Sequence, residues 1–400
     1  MKKALIIMTL VAVVSDYLLH PFYPQFFEAR FGVNDPKVVG YYFAAICFLV
    51  MLAFPFWAYV SKKISELNIL IYTQCIAGIL ALYCFWTSSY TTFWIVSLIM
   101  IFFKGSYLLV YPYILKISSK NEHSQIIGIL SVVVHLGGIA GAIIGGLTVD
   151  LIDASYIYLI MASGDFVQMG MSGYLLATKQ QVPAVVTEKS NEILNSISKT
   201  KGFILKIGLV TMLLYFSDFL IRPFFATYWE SVSIYDSKFI SGTLYAIPGF
   251  IALMVLWWST KRPSTISHNK TILSALSIGA LGLLLQGIPS EVSILVGRVI
   301  YGWAIFQGVV KFDVLLFELS TPDSYATDYS KVHFFQNLGV LISSFFVGIL
   351  VENQGLQIPF YIASVGFVLT LVIYYLFFKI SIPITSLKKE QRSKKTALNS

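Results

Sequence analysis

The chain is expected to be an all-α polytopic membrane protein, with twelve transmembrane helices in two parallel, pseudo-repeated six-helix bundles. Three observations predict this. Of 400 residues, 57% are hydrophobic and only 12% charged, where soluble chains carry about 25% charge. Apolar windows of about twenty residues, enough to cross a hydrocarbon core, recur along the whole chain. A motif in the first window returns 202 residues later.

The windows predict helices over 4–27, 38–60, 68–88, 92–115, 124–147 and 155–177, then 203–228, 239–259, 270–288, 291–316, 329–351 and 358–379. The first begins Met1-Lys2-Lys3, like a secretory leader, but runs through Asp16, His20 and Pro21 to Phe27 without a small-residue cleavage site, so it is expected to be a retained span. The segment from Lys179 to Gly202 is the one long hydrophilic interruption. The expected organisation is therefore an N-terminal bundle over 1–178, a cytoplasmic linker over 179–202, a C-terminal bundle over 203–380 and a basic cytoplasmic tail over 381–400. Pro21, Pro223, Pro248 and Gly249 are expected to kink their helices.

The net charge of +8 is a matter of topology, not of nucleic acid. With the N-terminus cytoplasmic, nineteen basic residues fall on the inner side and only Arg30, Lys37 and Lys238 in outer loops. Both termini are therefore expected inside an inner or plasma membrane, with lipid as the surrounding partner. Cys47, Cys75 and Cys84 all lie in apolar stretches without a CxxC or Cys/His cluster, so neither disulfides nor a metal site is expected.

The repeat aligns Ser15-Asp16-Tyr17-Leu18-Leu19-His20-Pro21-Phe22-Tyr23 with Ser217-Asp218-Phe219-Leu220-Ile221-Arg222-Pro223-Phe224-Phe225. At the same offset Glu28 meets Glu230, Gly40 meets Gly242 and Gly146 meets Gly348. An even number of spans separates the copies, so the halves share one orientation, the plan of one transporter class with a midplane site between halves.

With its twelve expected spans, 6+6 repeat and hydrophilic linker, the chain resembles the major facilitator superfamily along essentially its whole length. In the fifth window Gly128, Gly137, Gly141, Gly145 and Gly146 follow that family's antiporter motif, with Ala142 in place of the proline. The resemblance implies proton-coupled export; physically, small residues let helices approach closely. In the loop after the second window Ala58, Lys62, Lys63, Ser65 and Glu66 occupy the family's Gly, Asp, basic, Gly and Arg places. The gating charges Lys62 and Glu66 are thus exchanged in sign, and either a reversed ion pair or a weakened latch would result.

Ionisable groups at membrane depth are costly, so each is a candidate. Asp16 and His20, like Asp218 and Arg222, are four apart and expected on one helix face. Lys104, His135 and Asp165 sit mid-helix, and Arg298 lies in the outer half of the tenth window. Asp16, Asp218, His135 and Asp165 are the candidate proton-coupling groups, and His20, Arg222, Lys104 and Arg298 the candidate substrate-binding ones. Deep cations outnumber deep acids, which points to a small anionic or zwitterionic solute, for example a polycarboxylate such as a carboxylate siderophore. The expected function is proton-coupled efflux by alternating access, in a monomer with no cofactor and driven by an ion gradient.

The same fold and charges allow proton-coupled import of an organic anion or siderophore, and a non-transporting sensor or lipid translocator is the alternative of another class. A membrane-embedded enzyme and a nucleotide-driven pump are disfavoured: HExxH, GxSxG and G-x4-G-K-[ST] are all missing.

Overall fold

The computed structural model describes residues 1–118, 123–178, 197–235, 237–261, 268–320 and 325–379. Residues 179–196 of the expected linker and the expected tail from 381 on lie outside the described residues. Within them the chain is all-helical: α1 (Lys2–Tyr17), α2 (Tyr23–Phe31), α3 (Pro36–Val60), α4 (Glu66–Trp86), α5 (Tyr90–Lys104), α6 (Val110–Lys116), α7 (His123–Leu151), α8 (Ile157–Ala177), α9 (Ile197–Leu220), α10 (Phe225–Val232), α11 (Lys238–Tyr245), α12 (Ile247–Lys261), α13 (His268–Gly287), α14 (Glu291–Leu319), α15 (Tyr325–Gln354) and α16 (Ile358–Lys379).

Ten of the twelve expected windows coincide with helical segments long and apolar enough to cross a membrane. The first window departs because it is split. Pro21 cannot donate to the preceding turn, so α1 ends at Tyr17 and α2 begins at Tyr23. The sixth, α8, has 21 residues but carries Asp165, Gln168 and Ser172, all fully buried. Pro223 separates α9 from α10 in the same way, and the α11–α12 break precedes Pro248. One break was not foreseen: α5 stops at Lys104 and the chain continues as a 3-10 turn, Gly105–Leu109, before α6.

Hydrophobic residues cover the outside as well as the core. Trp257 and Trp258 are about 60% exposed, as suits an outer surface facing acyl chains and headgroups. Inside a bilayer, helices gain little from excluding water, and their association rests on close packing and interhelical polar contacts. The glycines of α7 supply the packing. A Cβ on Gly137 would meet Val13 at 2.8 Å, one on Gly141 would meet the Val14 carbonyl at 2.7 Å, and one on Gly145 would overlap the Leu18 carbonyl. Three turns of α7 thus lie against the backbone of α1 and its end. Gly146 faces the Lys238 and Phe239 backbone of α11, whereas Gly128 has open space around it.

Contacts between the first and second halves of the chain gather at the end assigned to the outside by the basic residues. Gly242 packs on Ala142, and Gly40 lies 2.8 Å from the Ser344 carbonyl and 3.0 Å from the Gly348 amide, measured from an added Cβ. Asp150, at the end of α7, accepts from the Lys238 and Phe239 amides at 2.7 and 2.8 Å and so caps α11. Its counterpart 202 positions on, Glu352 at the end of α15, pairs with Lys37 on α3 at 2.5 Å. Arg30 ties α2 down by donating to Ser155 Oγ at 2.8 Å and to the Phe85 carbonyl at 2.6 Å.

Two substitutions in the same motif are therefore expected to behave oppositely. Gly145→Val should abolish accumulation of folded, monodisperse protein in detergent. Gly128→Ala should leave thermal stability unchanged or raise it by roughly 0.5–1 kcal/mol, the helical gain of Ala over Gly. Differential scanning fluorimetry checks both.

Candidate functional site

An ion-paired cluster lies inside the bundle at each copy of the repeated motif. In the first, Lys104 Nζ lies 3.4 Å from Asp16 Oδ1 and 3.6 Å from Asp165 Oδ1. Three elements build it: α1 brings Asp16, α8 brings Asp165, and the end of α5 brings Lys104. The unforeseen break after Lys104 frees its carbonyl, which accepts from Gln74 Nε2 at 3.4 Å; the same amide donates to Ser106 Oγ at 3.2 Å. Lys104 and Asp165 are almost wholly buried, whereas the Asp16 side chain keeps 33% of its surface accessible. Tyr107 faces the Asp16 carboxylate. One ammonium between two carboxylates carries a net charge of −1.

In the second group, Arg222 Nη2 donates to Asp218 Oδ2 at 2.5 Å, four residues apart as the spacing predicts. The Tyr301 hydroxyl of α14 donates to Asp218 Oδ1. Asp218 is buried and the Arg222 side chain is 32% accessible. This pair is neutral, and its carboxylate is held from both sides.

The expected sharing of one helix face by Asp16 and His20 is not realised. Because α1 ends at Tyr17, His20 lies in the turn beyond it, where its Nδ1 shares a 3.2 Å hydrogen bond with the Tyr245 hydroxyl of α11. Its ring stacks on Tyr17 at 5.4 Å and meets Phe43 and Phe219 edge-on. Arg222 lies within electrostatic range of His20 and Tyr17, so the turn of the first half and the charged pair of the second share one region. His135 Nδ1 is 2.8 Å from the Ser131 carbonyl, and its ring meets Phe306 of α14 edge-on.

Arg298 is not brought to this region as an available cation. Pro248 cannot donate to the Leu244 carbonyl, and the helix break there leaves both Leu244 and Tyr245 carbonyls to be satisfied. Arg298 does so, donating to them from Nε and Nη2 at 3.3 and 2.8 Å, with its guanidinium 4.0 Å above the Phe225 ring. At the opposite end, Glu66 opens α4 and pairs with Lys116 of α6 at 3.0 Å rather than with Lys62, so this contact stays within the first half. No group of three or more His, Cys, Asp or Glu residues able to hold a metal ion occurs among the described residues.

Sequence reasoning missed Tyr301, Tyr245, Gln74 and Gln168. The two glutamines had a readable signal, an uncharged amide deep in an apolar window; the tyrosines are lost among 24 of their kind.

The arrangement can do two things chemically. It presents one partly accessible carboxylate and one partly accessible guanidinium to a solute, and it has one carboxylate more than the first half's cation can neutralise. Removing that cation should be severe: Lys104→Met leaves two carboxylates unpaired at depth and is expected to lower stability by about 3–5 kcal/mol. Adding Asp165→Asn should restore much of it, and thermal unfolding in detergent of the single and double variants measures the difference.

A family profile, "Major Facilitator Superfamily", matches residues 5–317. No curated protein sequence matches the chain. Among solved structures, a bacterial homologue of the human lysosomal transporter Spinster, inward-facing and occupied, superposes with a TM-score of 0.73 at 14% identity, covering 94% of this chain and 95% of that one. The nucleoside transporter NupG gives 0.67 at 14% identity, covering 94% and 99%. The human organic anion transporter MFSD10 gives 0.66 at 15% identity, covering 93% and 98%. At these identities the likeness establishes the fold alone.

Proposed function

Because the chain belongs to the major facilitator superfamily, we propose that it is a secondary transporter, with twelve spans in two parallel six-helix repeats, that couples proton movement to efflux of a small anionic or zwitterionic solute. The ten apolar helices, together with α1–α2 and α8, make up the twelve spans. The observation that carries the reading is the pair of partly accessible opposite charges, Asp16 at 33% and Arg222 at 32%, each anchored by a buried partner in its own half. The membrane would be an inner or plasma membrane with both termini cytoplasmic, and an ion gradient would supply the energy without a cofactor.

Asp16 with Asp165 holds the exchanging proton, since one proton brings the −1 group to neutrality. Protonating Asp218 would instead leave Arg222 unbalanced, so Asp218 serves coupling by fixing Arg222. His135 bridges the halves beside them. Arg222 and His20 take the solute's carboxylate; Lys104 and Arg298 act on it indirectly, through the partners they hold.

The sign of linkage ties direction to substrate class. A solute whose amine occupies Asp16 competes with the proton there, which gives exchange and export. A purely anionic solute binds better once Asp16 is neutral, which gives cotransport and import. The close seating of α7 on α1 through Gly137, Gly141 and Gly145 fits the antiporter pattern, and with it we favour export of a zwitterion, polycarboxylates bearing an amine being the first class to test. Cotransport of an organic anion is the second reading, favoured by the same accessible Asp16.

Metabolite profiling of cells with and without the gene identifies the solute and its direction. In everted vesicles made acid inside, that solute should accumulate with wild-type protein and not with Asp16→Asn or Asp218→Asn; wild-type rates in both variants would make those carboxylates structural. Accumulation in right-side-out vesicles under an inward proton gradient would overturn export. Arg222→Ala should raise the KM about tenfold, the loss of one charge-assisted hydrogen bond of roughly 1.5 kcal/mol.

A further inference from the structure

Of the buried side-chain polar atoms of the first half that lack a hydrogen-bond partner among the described residues, five belong to three side chains on neighbouring helices: both carboxylate oxygens of Asp165, both side-chain polar atoms of Gln168, and Gln74 Oε1. All three side chains have no accessible surface. Asp165 has the ammonium of Lys104 at 3.6 Å, beyond hydrogen-bond reach. Uncompensated burial of so many donors and acceptors is unfavourable, and native interiors satisfy such groups with protein or with ordered water.

The placement of these atoms is coherent. Asp165, Gln168 and Ser172 lie at spacings of three and four along α8, hence on one stripe, and the stripe faces inward. Across from it α4 runs antiparallel, with Gly78 against Phe166, a Cβ there meeting the ring at 2.9 Å. Towards the expected cytoplasmic end, α4 carries Gln74 four residues on from Gly78 and α8 carries Gln168 two residues on from Phe166, so the two amides lie within about half a turn of one level. Around Gln74 the polar set continues through Ser106 and Thr73, whose hydroxyls are 2.6 Å apart. Several polar atoms converging on one buried spot are what a structural water requires.

The second half supplies an internal control. At the positions 202 residues on, Asp165 is replaced by Phe367, Gln168 by Thr370, Ser172 by Tyr374 and Gln74 by Leu276. Thr370 donates to its own helix at Gly366, at 2.7 Å, and Phe367 and Leu276 are plain core. At these four positions the second half is apolar or already hydrogen-bonded where the first carries unpartnered polar atoms.

We propose that Asp165, Gln168 and Gln74 enclose a buried water site between α4 and α8, and that through it Asp165 exchanges protons with the expected cytoplasmic side, apart from the region where solute meets Asp16 and Arg222. The charged and titratable groups facing this path are Lys104 from α5, Asp16 from α1 and, beyond Asp16, Tyr107 of the 3-10 turn. The inference rests on the proton-coupling reading, since a proton route matters only if these carboxylates titrate.

Infrared spectroscopy of the full chain in lipid tests it with the proton and D2O as the only probes. A protonated-carboxyl band that Asp165→Asn removes should shift promptly when wild-type protein is transferred to D2O. Gln168→Met, similar in volume and unbranched, should keep the band's amplitude and slow that shift at least about tenfold. If that variant does not fold, Gln74→Met should give the same slowing. Exchange as fast as wild type in the folded variant overturns the water route alone. A band that never titrates between pH 5 and 8, or that survives Asp165→Asn unchanged, overturns the assignment of the proton to this group and the route with it.

Discussion

A charge inside a membrane bundle is costly unless it is paired, and in this protein the pairing that joins three helices is Lys104 between Asp16 and Asp165. Its three residues come from α5, α1 and α8, so the contact is a knot of tertiary structure as well as an electrostatic balance. The backbone break after Lys104 belongs to the same knot, because Gln74 closes the carbonyl that the break exposes. With one cation to two acids, the cluster on its own keeps one carboxylate uncompensated. The geometry that lets these charges sit at depth thereby leaves a place for one further positive charge.

The two halves share a framework and differ in chemistry. Residues 202 positions apart do matching packing work: Gly40 with Gly348, Gly146 with α11, Gly242 with Ala142. At the level of the charges the correspondence stops. Where the first half has Lys104 and Asp165, the second has Phe306 and Phe367, and its Asp218 is instead held by Arg222 and Tyr301. One half balances two acids with a single cation and the other pairs one acid with one cation, a division that a duplicated scaffold permits because packing positions and charged positions are different residues.

Much of this was legible before any coordinates. Ten spans followed from apolar runs alone, and Pro21, Pro223 and Pro248 marked breaks because a missing N–H is a local property. The Asp218–Arg222 pair followed from spacing. What spacing could not supply was partners across helices. The spacing puts Asp16 and His20 on one helix face, yet Pro21 ends α1 early and the cation that Asp16 meets, Lys104, is 88 residues distant. Arg298 looked like a free cation because nothing in the sequence says that Pro248 leaves a carbonyl some fifty residues away for it to satisfy. The α5 break has only Gly105 to announce it, and a single glycine in an apolar helix is common.

The fastening of the bundle at the end that carries Asp150 and Glu352 has a mechanical consequence. Asp150 grips the amides at the start of α11, and Glu352, 202 residues on, grips Lys37 at the start of α3. Each half contributes one acid and receives one. Such a reciprocal arrangement shares load between two seams, so prising open either seam alone leaves the other bearing the whole strain. Parting the two halves on that side would therefore require both grips to be released together, and freeing one helix from its neighbour would not suffice.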